Sequence, residues 1–190
     1  MKFTWKDIPQ AACPVMVWAD KNGDWIASKI KERTHANYSH VMLMVGPGVM
    51  ASQGFSGYKL VPIDNYIGTL NTLKFIGIRG ITDFGRECII DSVNKKLNGP
   101  WYRKMYDFLG IFGQLTGLTW IQTPFFDYCS EDMPYHLQAT LKKYPQEFDP
   151  ILSAAIEGFP KNGSPGVHDE YSKKFRDTCF PLIGKQEGDE

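Results

Sequence analysis

The pattern of apolar and polar residues divides this chain of 190 residues into strand-like runs followed by longer helical repeats. Residues 13–19 form an apolar run typical of a buried strand, and residues 25–34 place apolar side chains at helical spacing. A Gly-Pro-Gly turn then separates two runs that predict a hairpin. The strands predicted after residue 35 cover residues 40–45, 49–53, 58–63 and 73–78.

The second half of the chain has mainly helical patterns. Thr82 precedes an apolar repeat and predicts an N-cap, and Asn98-Gly99-Pro100 ends that helix. Residues 160–190 are rich in glycine, proline and charge, which predicts a segment that lies on the surface or is partly disordered. The other helical patterns cover residues 102–115, 131–143 and 149–159.

The order of these elements predicts an α+β fold in which helices pack on one mostly antiparallel sheet. We expect one domain over residues 1–145. Residues 146–190 are expected to supply a C-terminal helix and a tail rich in glycine, proline and charge, which packs on this domain or extends from it.

Charge and composition exclude several classes of function. The chain has 21 basic and 21 acidic residues, which argues against nucleic acid or an anionic membrane as the main partner. No run approaches the roughly 20 apolar residues of a membrane-spanning helix, and the N-terminus lacks the apolar core of a signal peptide. The four cysteines are scattered without a CxxC pair, so we expect free thiols in a reducing cytoplasm, and neither a metal site nor an organic cofactor.

One cysteine has a sequence context that suits a nucleophile. The run FFDYCSE, residues 125–131, places Cys129 just before a predicted helix that starts near Glu131 and has Pro134 in its first turn. Unpaired N–H groups at a helix N-terminus lower the pKa of a nearby thiol, and the same groups are suited to hold the oxyanion formed in acyl transfer. Cys129 is therefore the candidate nucleophile, whereas Cys13, Cys88 and Cys179 are expected to be structural.

The base that such a thiol requires is most readily supplied by His40. This residue begins a predicted strand and therefore lies at the rim of the sheet. His136 follows Cys129 on the same helical run, where it cannot easily turn back toward the thiol. His35 lies in a polar loop and His168 in the predicted tail, so neither is favoured as the base.

His40 and Cys129 belong to a series of short motifs. In chain order these motifs are YSHVMLMV (38–45), GYKLVPI (57–63), Tyr106-Asp107 and YCSE (128–131). This order resembles the circularly permuted NlpC/P60 papain-like group and, within it, the YiiX/YaeF-type cysteine hydrolases. The resemblance extends over residues 12–142. It implies a papain-like antiparallel sheet packed against helices, with Cys129 as the nucleophile and His40 as the base.

In this family the strand after the histidine strand usually carries an acidic or other polar residue that orients the imidazole. Here that strand reads VMASQ (49–53) and has no carboxylate. Ser52 and Gln53 are the available substitutes, and the register of the hairpin decides between them. A two-residue turn places Gln53 on the face of His40, whereas a three-residue turn places Ser52 there.

Two further residues are candidates for contacts with the oxyanion or the substrate. Gln122 precedes Cys129 by about the interval at which papain-like enzymes carry a glutamine. Tyr38 lies near His40 and carries a hydroxyl. Both side chains would act as hydrogen-bond donors.

These residues predict a cysteine peptidase or amidase that cleaves a peptide, a peptidoglycan-derived peptide or an N-acyl amide through an acyl-enzyme on Cys129. Two alternatives stay open, namely a lipid acyltransferase or esterase on the same fold, and a binding or structural module with little turnover. A chain of this kind fits the cytoplasm or a phage particle. The sequence leaves open the substrate, the oligomeric state and the source.

Overall fold

A computed structural model of the chain describes residues 3–20, 25–34, 37–54, 56–67, 72–104, 129–160 and 163–187. At a few positions inside these ranges, among them Cys129 and Ser130, it describes the backbone alone. The helix predicted over residues 102–115 lies largely outside these ranges, and its described part belongs to a 3₁₀ turn at Trp101–Lys104. None of the helices in the described ranges is long and apolar enough to cross a membrane.

The strands of the described residues are β1 (Val15–Asp20), β2 (His40–Gly46), β3 (Val49–Gly54), β4 (Gly57–Pro62), β5 (Thr72–Ile76) and β6 (Leu182–Gln186). They form one sheet in the order β4-β3-β2-β1-β5-β6, and every neighbouring pair is antiparallel. Strands β2, β4 and β5 therefore run in one direction, so that they begin at the same end of the sheet.

The helices of the described residues are α1 (Trp25–Thr34), α2 (Asp83–Leu97), α3 (Cys129–Lys143), α4 (Pro150–Glu157) and α5 (Pro165–Lys174). The predicted N-cap of α2 is confirmed, because the Thr82 side chain accepts a hydrogen bond from Gly85 N at 3.0 Å. Asp149 caps α4 in the same way and accepts from Leu152 N at 2.7 Å. The predicted α+β class with one antiparallel sheet is confirmed.

The sheet separates two apolar clusters, because alternate side chains of each strand point to opposite faces. On one face, which we call the helical face, Val41 and Leu43 of β2 pack in a cluster with Met133 and Leu137 of α3. On the other face, which we call the N-terminal face, Met42 and Met44 belong to a cluster with Ile8, Ile63 and Tyr66. This division decides which residues can meet at the site.

The C-terminal segment packs into this fold rather than extending from it. Strand β6 extends the sheet beyond β5. Helix α5 is joined to the sheet by a buried ion pair between Lys74 of β5 and Asp169. In addition, Trp18 Nε1 donates a hydrogen bond to Pro165 O at 3.1 Å. The partly disordered tail expected over residues 160–190 is therefore replaced, over residues 163–187, by regular structure that shares the core of the domain.

Candidate active site

Helix α3 lies along the helical face with a defined direction. At the middle of the helix, His136 Nε2 is 3.0 Å from the hydroxyl of Tyr58, which is the second residue of β4. After its C-terminus the chain reaches Phe148, which pairs with Ile81 beyond the end of β5. Because β2, β4 and β5 begin at the same end of the sheet, α3 also begins there. This is the end at which His40 begins β2.

Cys129 is the first residue of α3, two residues before the predicted helix start at Glu131. Pro134 consequently lies in the second turn of the helix rather than in the first. The first turn of a helix has backbone N–H groups without partners inside the helix. These groups lie at the end of the sheet where β2 begins, next to the residue that the sequence predicts as the nucleophile.

His40 is buried on the N-terminal face, where it contacts two polar side chains, Ser52 and Tyr66. Its Nε2 atom is 2.9 Å from Ser52 Oγ, and Ser52 Oγ is 3.3 Å from the hydroxyl of Tyr66. The rings of His40 and Tyr66 are nearly parallel, at an angle of 8° and a centroid distance of 6.0 Å. The hydrogen bond and the stacked ring together restrict the rotation of the imidazole.

The register of the β2–β3 hairpin places Ser52, and not Gln53, on the face of His40. The turn itself has two residues, Pro47 and Gly48, yet Leu43 lies opposite Ala51, because a bulge between Met44 and Gly46 shifts the register by one residue. The expectation that a two-residue turn places Gln53 on the face of His40 is therefore wrong. Gln53 consequently points to the helical face, where its Nε2 atom donates to Lys104 O at 3.1 Å. Of the two substitutes predicted for the orienting residue, only Ser52 contacts His40.

The imidazole of His40 and the buried side chains of α3 lie on opposite faces of the sheet. His40 shares the N-terminal face with Met42, and its cross-strand partner Ala19 belongs to the same cluster. Helix α3 packs on the helical face through Met133 and Leu137. A contact between Cys129 and His40 therefore has to form around the end of the sheet and not across its face.

Of the two residues predicted to contact the oxyanion or the substrate, the structure describes only Tyr38, and it does not bring Tyr38 to the face of His40. Tyr38 is buried on the helical face, where its ring lies 5.7 Å from Lys74 Nζ. Burial, together with the Asp169 carboxylate, raises the pKa of Tyr38 to about 12, so the hydroxyl keeps its proton at neutral pH. Gln122 lies outside the described residues.

The other three cysteines have the environments expected of structural thiols. Cys13, Cys88 and Cys179 are buried and free. Burial raises the pKa of each of these thiols. A thiol that reacts rapidly below pH 7 would therefore stand out clearly against these three.

A second polar cluster, which the sequence did not predict, fixes the first half of α3. We call it the α3 network. His136 Nδ1 is 2.7 Å from Ser92 Oγ, and its Nε2 atom is 3.3 Å from Asp132 Oδ1 in addition to the Tyr58 hydroxyl. Lys96 Nζ donates to Asp132 Oδ1 at 2.8 Å and lies 4.7 Å from the ring centre of Tyr58.

The α3 network is buried and its charges compensate each other. Burial by itself would raise the pKa of the Asp132 carboxyl, but His136 and Lys96 outweigh this effect and hold the pKa below its usual range. The available sequence signal was the spacing of Asp132 and His136, and of Ser92 and Lys96, by four residues on two helices. That spacing is common on exposed helix faces, so it did not single out these residues.

Comparisons with known proteins supply no family assignment. The chain matches no protein-family model, and a search of curated proteins found no match. Within the described ranges, no group of three or more histidine, cysteine or acidic residues is arranged to hold a metal ion. The chemistry of the site therefore has to be argued from Cys129, His40 and their surroundings.

Proposed function

We propose that this chain is a thiol-dependent hydrolase in which Cys129 is the nucleophile and His40 the base. One observation carries the proposal. A buried histidine, held by Ser52 and stacked on Tyr66, lies at the end of the sheet where the helix of Cys129 begins. The order of the motifs supports a place in the permuted NlpC/P60 papain-like group, of the YiiX/YaeF type.

The proposed reaction uses these groups in the order usual for thiol catalysis. His40 takes the proton of the Cys129 thiol, and the thiolate attacks the carbonyl carbon of an amide. The first-turn N–H groups of α3 hold the oxyanion of the tetrahedral intermediate. His40 then gives its proton to the leaving amine as the C–N bond breaks, which leaves the acyl group on Cys129 as a thioester. A water molecule, deprotonated by His40, attacks this thioester, the acid is released, and His40 returns the proton to the thiolate.

Ser52 is the positioning residue for the imidazole in this scheme. Because His40 Nε2 is bound to Ser52, Nδ1 is the nitrogen that would exchange the proton with the thiol. A hydroxyl orients an imidazole but stabilises the imidazolium less than a carboxylate does. We therefore expect a slower enzyme than one with an acidic residue at this position.

We propose a peptide, a peptidoglycan-derived peptide or an N-acyl amide as the substrate class, and a cytoplasmic or phage-associated setting. The zero net charge of the chain supports a weakly charged substrate. Transfer of the acyl group to a lipid or alcohol in place of water would make the same chain an acyltransferase. The fate of the acyl group distinguishes these two reactions.

A second candidate function is a binding module without turnover. The observation that favours it is the position of the His40 imidazole on the face of the sheet opposite to α3. If no contact forms around the end of the sheet, Cys129 has no base. This candidate predicts that Cys129 reacts like an ordinary thiol.

The test is the pH dependence of iodoacetamide labelling at each of the four cysteines, read by mass spectrometry. We expect Cys129 alone to label fast below pH 7, because a thiolate paired with imidazolium persists at that pH. In His40→Ala this fast labelling should fall by about 100-fold. In Ser52→Ala the loss should be smaller, because only the orientation of the imidazole is affected.

His168→Gln is the matched control, since it removes another buried histidine outside the site. Its labelling profile should equal that of the parent. An ordinary thiol profile at Cys129 in the folded parent would overturn the proposal and favour the binding module. If the fast profile is present, incubation with acyl amides and esters, with and without an added alcohol acceptor, then separates hydrolysis from transfer.

A further inference from the structure

Among the residues that the structure describes, buried charges are concentrated at two places on the helical face, and one of them is the first half of α3. The α3 network joins α3 to both α2 and β4 through Asp132, Lys96, His136 and Tyr58. All four of these side chains are at most 9% exposed. Stability alone does not explain this concentration of polar groups, because a buried ion pair gives little or no net stabilisation over apolar residues of the same size.

The network does have a defined geometric effect. Asp132 follows Cys129 by three residues and lies in the first turn of α3. Its carboxylate is held by Lys96 from the last turn of α2 at 2.8 Å. One turn later, His136 bonds to Tyr58 of β4 and to Ser92 of α2. Helix α3 is thereby fixed in its rotation about its own axis and in its position along the sheet.

Apolar packing alone would restrict the rotation of α3 and its position along the sheet less strictly. Met133 and Leu137 fill the core beneath α3, but apolar contacts tolerate small rotations and shifts. Directional hydrogen bonds to a buried charge do not, because each displaced bond leaves a buried polar group without its partner. The first turn, with Cys129 and its N–H groups, is the part of the helix that this restraint holds.

We propose that Lys96 and Asp132 are positioning residues, whose ion pair holds the first turn of α3 in the orientation that Cys129 requires for its reaction at the His40 end of the sheet. This inference rests on the proposed function. It assigns to two residues outside the Cys129–His40 pair a part in the reactivity of the thiol.

The test compares Lys96→Met with Lys74→Met. Both variants remove the lysine of a buried Lys–Asp pair, and both leave the aspartate a second partner. Asp132 keeps His136 at 3.3 Å, and Asp169 keeps Lys173 at 3.2 Å. The Lys74 pair joins α5 to the sheet and not α3, so this variant controls for the general cost of breaking a buried pair.

We expect both variants to lower the melting temperature, but only Lys96→Met to change the labelling profile of Cys129. At pH 6 the labelling rate of Cys129 in folded Lys96→Met should fall by roughly tenfold, since small displacements of reacting groups have large kinetic effects. In Lys74→Met the profile should be that of the parent. A purely structural role of Lys96 would change the melting temperature and leave the profile unchanged.

If the single variant does not fold, the double variant Lys96→Met/Asp132→Asn provides the test, because it removes both charges of the Lys96–Asp132 pair. It should fold and show the same loss of labelling. An unchanged profile in the folded variants overturns the positioning role while the proposed function stands. If the parent itself lacks fast labelling that depends on His40, both the proposed function and this inference are wrong.

Discussion

His168 is fully buried on α5, in an environment that favours its neutral form. Its Nε2 atom donates to Pro160 O at 2.8 Å, and its ring lies edge-on to Phe159. Nδ1 is buried and has no hydrogen-bond partner among the described residues. Burial lowers the pKa of His168 to about 4, although the bond to Pro160 acts in the opposite direction.

The low pKa of His168 in the folded state predicts that the protein loses stability in mild acid. The folded pKa lies below the unfolded value of about 6.5, so the unfolded state binds more protons between these two values. His168 should therefore cost the fold about 3 kcal/mol as the pH falls from about 6.5 to about 4. Urea unfolding at several pH values measures this loss.

The matched variant for this prediction is His168→Gln, whose amide replaces the donor to Pro160 O and does not titrate. Its stability should be lower than that of the parent at pH 7 but should change less between pH 6.5 and pH 4. The same pH dependence in parent and variant would show that another group is responsible.

The two candidates for orienting His40, Ser52 and Gln53, exchange faces of the sheet if the register of the hairpin shifts by one residue. Ser52 and Gln53 are adjacent and both polar, so no property of their own distinguishes them. The bulge between Met44 and Gly46 makes the decision, because it sets which side chain of β3 shares the face of His40. The sequence narrowed the choice to two residues, and the structure shows a contact between Ser52 and His40.

At the scale of elements, Gly80 lies in the segment that connects β5 to α2. It also contacts Asp149, the N-cap residue of α4. Its φ of +82° is one that side chains rarely adopt, and its carbonyl accepts a hydrogen bond from Asp149 N at 2.7 Å. A Cβ atom at this position would lie 1.9 Å from Asp149 Oδ2. That carboxylate is the N-cap of α4 and cannot move without losing its bond to Leu152.

Gly80→Ala should therefore destabilise the protein by about 3 kcal/mol, through backbone strain and displacement of the cap. Gly46→Ala is the control, because a Cβ atom there meets nothing within 4 Å. It should change the free energy of unfolding by less than about 0.5 kcal/mol. Equal effects of the two substitutions in urea unfolding would contradict this account.

The elements themselves were largely predictable. Strands β1 to β5 and helices α1 to α4 agree with the apolar patterns to within a few residues, since capping residues and hydrophobic period are local signals. Helix α5 was not predicted, because its segment is rich in charge and lies between glycine and proline residues. The start of α3 was placed two residues late, because Pro134 suggested a first turn that in fact lies farther toward the N-terminus. Strand β6 was missed, since a short edge strand of mixed polarity has no distinct pattern.

At the scale of the whole molecule, the C-terminal segment is part of the core. Phe180 and Cys179 belong to the cluster of the helical face, and Asp169 compensates the charge of the buried Lys74. Strand β6 also pairs with the edge of β5. Residues 1–145 consequently do not contain the complete sheet or the complete apolar core.

A chain ending at Pro160 should fail to fold cooperatively. It would expose part of the helical face and leave Lys74 as an unpaired buried charge, a change that typically costs about 3–5 kcal/mol by itself. Circular dichroism and thermal unfolding test this expectation. A chain ending at Glu187 keeps β6 entire and serves as the control, with a melting transition equal to that of the parent.

A cooperative transition in the chain that ends at Pro160 would show instead that the first 160 residues fold on their own. The C-terminal helix and β6 would then be an addition to an independent domain. This outcome would place a domain boundary near residue 160, after α4, and not at residue 145 as the sequence suggested.

The sequence by itself determined the class of the fold and the order of its elements as far as α4, because periodicity, caps and turns depend on neighbouring residues. It also supplied the two residues proposed to react. Only the tertiary structure decided the face on which His40 lies, its contact with Ser52 and the partners of the buried lysines. Lys74 and Lys96 find their aspartates 95 and 36 residues away. Such pairs follow from how strands and helices pack, and that packing is a property of the whole chain.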